Sequence, residues 1–370
     1  MISLIWLSLV AALTSNIQPI FLGVLAESFS LSGSQLGFIG GAELGGSCLA
    51  SVSAGYWFPR VRLRRAGLFA ITVSVLGNLL TSEATDFSQL LLIRFTTGFL
   101  GTGVLYALTL GLFGQLKNAD RIIAIAVVTH VLSLAVGMST VPLLMERWQL
   151  PGVTVSLAIL LSTAFLCLFL LPHQSRYETS KSATSESYNF LGAALLVSLI
   201  VFSIGLGSSW AFMERIGSSA GFAMGDIGNA LAVSGLIGGF GALMAAVLGT
   251  RLGRVLPIVV ALTLQVLTCL LLATRNDWYS YLVATALFNF NWNLTLPYLM
   301  GAISAADRSG RFMVLIPAAQ TGGYALGPML VGIFLVGDSF QLAAWVSMSA
   351  FIVCLAMIVP LLNRVSRINE

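Results

Sequence analysis

Long apolar runs separated by short polar breaks recur from one end of this 370-residue chain to the other. A helix rising 1.5 Å per residue needs about 20 apolar residues to cross a hydrocarbon layer. Twelve runs meet that length, at roughly 2–25, 34–58, 66–84, 88–115, 122–146, 151–172, 189–213, 226–249, 255–274, 278–303, 312–336 and 340–363. The breaks hold Gly, Ser, Asp, Asn and most of the charge, as turns do. The longest, from Pro172 to Tyr188, is polar and Ser/Thr-rich and reads as a flexible linker. The pattern therefore predicts an all-α integral membrane protein: a six-helix bundle over 1–172, a cytoplasmic linker over 173–188 and a second six-helix bundle over 189–370. The first run has no basic stretch before it and exceeds a signal-peptide core, so it reads as a retained span. Met1 lies almost inside it, which leaves room for a short N-terminal tail beyond this sequence.

The two halves repeat. Shifted by 191 positions, Arg251 falls on Arg60 and Asp277 on Asp86, while Ala261, Thr263, Val266, Leu267, Leu270 and Leu271 fall on Ala70, Thr72, Val75, Leu76, Leu79 and Leu80. One register holding from Ser34 to Leu108 indicates a duplication. Each half contains an even number of spans, so both enter the membrane in the same sense, related by an axis along the membrane normal.

Composition supports the pattern. The chain is 57% hydrophobic and 9% charged, against about 25% charged in soluble domains. Lipid must be its solvent. The net charge of +4 is explained by placement rather than by nucleic acid. With the N-terminus in the cytoplasm, fourteen Lys and Arg fall on that side and only Arg147, Arg215 and Arg275 outside, with Arg94 left within a span. The positive-inside rule selects this orientation, in a cytoplasmic (inner) membrane with both termini cytoplasmic. Cys48, Cys167, Cys269 and Cys354 sit in apolar runs without pairing motifs and read as small buried hydrophobes. No metal or cofactor is expected, and no metalloprotease, nucleophile-elbow or phosphate-loop motif occurs in the sequence.

Twelve spans in two parallel halves, each with a basic turn after its second span, resemble the major facilitator superfamily of secondary transporters. The loop signature of that family, roughly G-x-L-a-D-R-x-G-R, is matched by Leu248, Arg251, Gly253 and Arg254 in the second copy, and by Gly55, Arg60 and Arg64 in the first. Pro59 and Thr250 stand where the family has its acid, so the resemblance implies a differently held cytoplasmic gate, with Arg60 and Arg251 as gate candidates. Span 4 carries Arg94-x-x-x-Gly98-x-x-Gly101-x-Gly103, which is similar to the family pattern. Span 11 has Gly323-x-x-x-Gly327-Pro328, like the glycine–proline motif of family antiporters. That motif belongs to span 5, where this chain has Ser133-x-x-x-Gly137-Met138 and no proline.

The polar residues inside spans are the candidates for chemistry. Glycines at 37, 41 and 45, and at 235 and 239, form small-residue ridges for close helix packing. Glu43 lies near the bilayer middle, where an acid is costly. It is either a fastening between helices or a proton carrier. Arg94, always charged, is either a structural clamp or a partner in coupling. His130 titrates in a useful range and repeats as Gln320 at a shift of 190; it is a satisfied interior residue or a second proton carrier. Asn289, Trp292 and Asn293 share a face of span 10 by i, i+3, i+4 spacing. The resemblance implies that span 10 lines the cavity, so these three are either candidate substrate contacts or a hydrogen-bonded network between helices, with Asn16 and Gln18 of span 1 and Gln320 of span 11 as further substrate-binding candidates; Asn291 points elsewhere. Trp210 and Glu214 close span 7 as interfacial anchors or an outer gate. The resulting expectation is a secondary transporter of a small organic solute by alternating access, coupled to protons because the titratable groups within spans are Glu43 and His130. The alternatives are a multidrug or metabolite exporter and a non-transporting sensor on the same fold.

Overall fold

The computed structural model describes all residues except 1, 59, 114–118, 171–185, 308–310, 338 and 370. Pro59 and nearly all of the expected linker lie outside the described residues. No strand occurs among those described, and the helices follow the apolar runs closely. Span 1 is broken, as Ile2–Asn16 and Gln18–Phe29, bent by 51°. Pro19 at the start of the second piece explains the break, since its ring displaces the carbonyl four residues back and supplies no N–H. Spans 2 and 3 are Gly33–Trp57 and Leu63–Ser82; span 4 is Phe87–Phe113. Spans 5 and 6 fall within Ala119–Ser162, divided where Gln149 adopts φ 54°, with Ala164–Leu168 continuing the latter. Spans 7 to 12 are Glu186–Ser219, Met224–Leu248, Val255–Thr274, Trp278–Ala306, Arg311–Phe334 and Gln341–Asn369.

Among the described residues, seven helices, or eight with the bent pair, are by length and composition alone apolar enough to cross a membrane. Gly33–Trp57, Trp278–Ala306 and Arg311–Phe334 are not among them, because their glycines and amides serve packing and the interior rather than lipid.

The duplication is visible in the helix ends. Spans 2 and 8 both have 25 residues and begin 191 apart. Spans 4 and 10 begin at Phe87 and Trp278, again 191 apart, and each is capped by the preceding aspartate. Asp86 accepts from the Gln89 N–H at 3.0 Å and Asp277 from the Ser280 N–H at 2.9 Å. One copy has since diverged: span 4 carries a π-helical turn at Thr97–Thr102, and span 10 runs through without one.

The halves meet along two seams, span 2 on span 11 and span 5 on span 8. Both seams are tightest toward the end that bears Glu27 and Arg215; toward the end that bears the Arg60 and Arg251 turns, here termed the basic end, they loosen to ordinary contact, with Cys48 Sγ still donating to the Ala318 carbonyl at 3.3 Å. A methyl built on Gly37 would come within 2.4 Å of the Pro328 carbonyl, and on Gly41 within 2.6 Å of the Ala325 carbonyl; at Gly45 the nearest atom is 3.8 Å away. The other seam behaves alike, with 2.4 Å at Gly228, 2.3 Å at Gly235 and 3.8 Å at Gly239. The core follows suit. One apolar cluster runs continuously from Leu13 through Met138 into spans 7 to 12, whereas Leu4, Leu63, Phe113 and their neighbours form a separate core at the basic end of the first half. The halves are thus packed most tightly at the Glu27–Arg215 end.

Candidate functional site

Between the halves lies a cavity of about 220 Å³ whose two walls differ. The first half contributes Asn16, Gln18, Ser47, Tyr106 and His130; the second contributes Trp210, Trp292, Gln320 and Tyr324. The break in span 1 places Asn16 and Gln18 on the cavity. Asn16 donates to Ser133 Oγ at 3.0 Å and Gln18 to the Gly40 carbonyl at 2.9 Å, which fixes both amides. His130 shares a 3.0 Å hydrogen bond between its Nε2 and Ser8 Oγ. The opposite wall is aromatic. Trp292 stands between Trp210, edge-on at 5.9 Å, and Tyr324, at 5.4 Å. The Tyr324 hydroxyl is buried without a protein partner, a donor held ready beside the rings. His130 is the one ionisable side chain on the lining other than the two tyrosines.

Beside the cavity, and sharing Ser15, Gln18 and Leu44 with it, a small recess ends at Glu43 and Arg94. The Arg94 guanidinium bonds Glu43 directly and also donates to Thr81 Oγ1 at 3.1 Å and Asn78 Oδ1 at 3.4 Å. Its other face lies over the Phe21 ring at 5.0 Å. Arg94 is 1% exposed and Glu43 13%. The pair depends on Gly98. A methyl there would sit 2.0 Å from the Glu43 carbonyl, so only glycine lets span 4 approach span 2 closely enough for Arg94 to reach the acid. The π-helical turn begins one residue before Gly98, and such turns recur at functional positions.

At the tightly packed end, Glu214 is fully buried against Gly23 and holds Arg215 at 2.6 and 2.9 Å. Arg215 also reaches across to Glu27 of span 1 at 3.4 Å. Glu214 therefore lies where a gate between the halves would be, whereas Trp210 belongs to the cavity wall and is only 1% exposed. Arg60 and Arg251 are exposed at the basic end, and the Arg60 guanidinium covers its own Tyr56 at 4.2 Å.

The shared face of span 10 is only partly a cavity face. Trp292 lines the cavity, but Asn289 and Asn293 do not. Both press on Gly238 of span 8, and Asn289 donates to Ser234 Oγ at 3.0 Å, while Asn293 donates to the Asn289 carbonyl of its own helix at 2.9 Å. Asn289 fastens two helices, and Asn293 is spent within span 10. Asn291 is fully buried, both its amide atoms lacking a protein partner. Sequence reasoning missed Tyr106 and Tyr324; the latter lies one turn after Gln320 on span 11, and that spacing was the available signal.

The sequence matches the profile of the Major Facilitator Superfamily over residues 4–290. No curated protein sequence matches the chain. Among solved structures, the nucleoside transporter NupG superimposes with a TM-score of 0.73 at 13% identity, and an aspartate-to-alanine variant of it with 0.77 at 12% identity. Each comparison covers 96% of this chain and 98% of the other. At such identity the likeness concerns the fold.

Proposed function

The chain belongs to the Major Facilitator Superfamily, and from that premise we propose that it carries a neutral, flat, hydrogen-bonding solute of nucleoside-like chemistry by alternating access, coupled to protons. The observation that carries this reading is a cavity that sets an aromatic group, Trp210, Trp292 and Tyr324 with Gln320 beside them, across from Asn16, Gln18, Ser47 and Tyr106. A heteroaromatic base stacks on rings, and its sugar hydroxyls suit amides. A buried polar site rejects analogues that leave its groups unpaired. The absence of a carboxylate or a guanidinium on the lining disfavours an ionic solute, since an unpaired charge is costly to desolvate. The nucleoside transport named for the structural neighbour agrees with this reading.

Glu43 is the proton carrier in this scheme. It lines a small recess that shares Ser15, Gln18 and Leu44 with the cavity, so solute and proton sites are neighbours. Taking up a proton would discharge its ion pair, while Arg94 keeps its bonds to Thr81 and Asn78. Solute enters or leaves through the basic end in the present conformation. Closing that end would require the Glu27–Arg215 contact and the glycine seams to open.

Flux in proteoliposomes tests both parts. Labelled uridine or adenosine should accumulate under an imposed pH gradient and not without one. Glu43→Gln should retain solute exchange but lose gradient-driven accumulation. Absence of flux for every nucleoside and nucleobase offered would overturn the substrate class; undiminished accumulation by Glu43→Gln would overturn the role of the acid.

A further inference from the structure

A second cavity, of about 650 Å³, opens at the basic end of the first half, away from the central site. Its mouth carries Arg60, Arg62 and Arg65, and its walls are formed by Trp57, Phe69 and Phe99 from spans 2, 3 and 4. Among the described residues no carboxylate lies on the lining, and none pairs with the three arginines. The mouth also coincides with the start of the 20-residue span 3, whose cap residue, Arg62, makes no side-chain capping bond. The positive end of that helix therefore adds to the charge of the guanidiniums. Leu68 and Phe69, each about half exposed, continue the apolar wall outward along the surface of span 3.

We propose that this cavity binds an anionic phospholipid of the leaflet at the basic end, its phosphate between the three guanidiniums and an acyl chain along Phe69 and Leu68. Two features select the lipid over a free anion or a neutral lipid. The fork of a guanidinium matches phosphate oxygens, and three such groups with no acid among them leave positive charge for an anionic headgroup to neutralise. The apolar wall would gain nothing from inorganic phosphate, but it would bury part of a hydrocarbon chain. Basic pockets at the membrane surface recognise headgroups on this same principle.

Thermal unfolding of the full chain in detergent micelles provides the test, because a ligand bound only by the native state raises Tm with its concentration. Phosphatidylglycerol should raise Tm, while phosphatidylcholine and inorganic phosphate at matched concentrations should not. The triple variant R60Q, R62Q and R65Q should keep the lipid-free Tm and lose the response to phosphatidylglycerol. Should the triple variant fail to fold, Val61→Glu, which sets a carboxylate at the mouth, should abolish the response equally. A full response in either variant overturns the proposal, as does an equal response to inorganic phosphate, which would make the site one for a free anion. Rapid disulfide formation between Val61→Cys and Met313→Cys, undiminished by excess phosphatidylglycerol, would also overturn it by giving the cavity to span 11 of the same chain.

Discussion

Trp292 and Asn289 are three residues apart on one helix, yet they have different work. The Trp292 ring stands between Trp210 and Tyr324 on the cavity wall, and Asn289 is spent on Ser234 of span 8. An aromatic contact contributes about 0.5–1.5 kcal/mol beyond its buried area, or about two- to tenfold in affinity. Trp292→Ala and Tyr324→Ala should therefore each weaken solute binding by at least that factor in calorimetric titration. Asn289→Ala and Asn293→Ala should leave the Kd nearly unchanged, and Asn289→Ala should lower the melting temperature instead, since it removes a bond between spans 8 and 10. Equal losses of affinity in all four variants would mean that the amides reach the solute after all.

At the level of elements, the seams between halves are graded. Span 2 is in near-contact with span 11 at Gly37 and has room at Gly45. Overpacking a tight contact costs about 1–3 kcal/mol, and here the obstructing atoms are backbone, the Pro328 carbonyl and the Gly332 Cα, which cannot rotate away. Gly37→Ala should destabilise this conformation, slow transport severalfold and raise the accessibility of the cavity from the Glu27–Arg215 end, measured by the labelling rate of a reporter cysteine. Gly45→Ala, with 3.8 Å to the Ala325 Cβ, should transport like the parent. The same shift of 191 that aligns the two halves in sequence aligns the seam helices, so each half presents a glycine-bearing span 2 or 8 to its partner.

For the whole molecule, the distribution of basic residues leads us to propose that the basic end faces the cytoplasm. Both termini and the 173–188 linker should then lie inside. Single cysteines placed in the linker should react with an impermeant maleimide only after the membrane is opened. A cysteine at Arg275, in the turn between spans 9 and 10, should react in intact cells. Linker labelling in intact cells would reverse the orientation.

What the chain determined by itself is the set of properties that depend on local sequence. Twelve apolar runs, their turns, the duplication register and the two aspartate caps are written in order along the chain, because hydrophobicity, helix rise and capping act over a few residues. The bent start of span 1 was equally available in Pro19, although the apolar run alone suggested one straight helix. Glu43 and Arg94 were each conspicuous as charges at membrane depth. Their pairing was not, because it needs Gly98 to bring two distant segments together. Helical spacing grouped Asn289, Trp292 and Asn293 correctly on one side of span 10, but spacing fixes only relative angles. The rotation of that helix, and so which of the three faces the cavity, is decided by Gly238 of span 8 accepting the two amides. The tertiary structure alone also assembled the aromatic wall and packed one end tightly, since contact between the halves depends on surfaces that lie far apart in sequence.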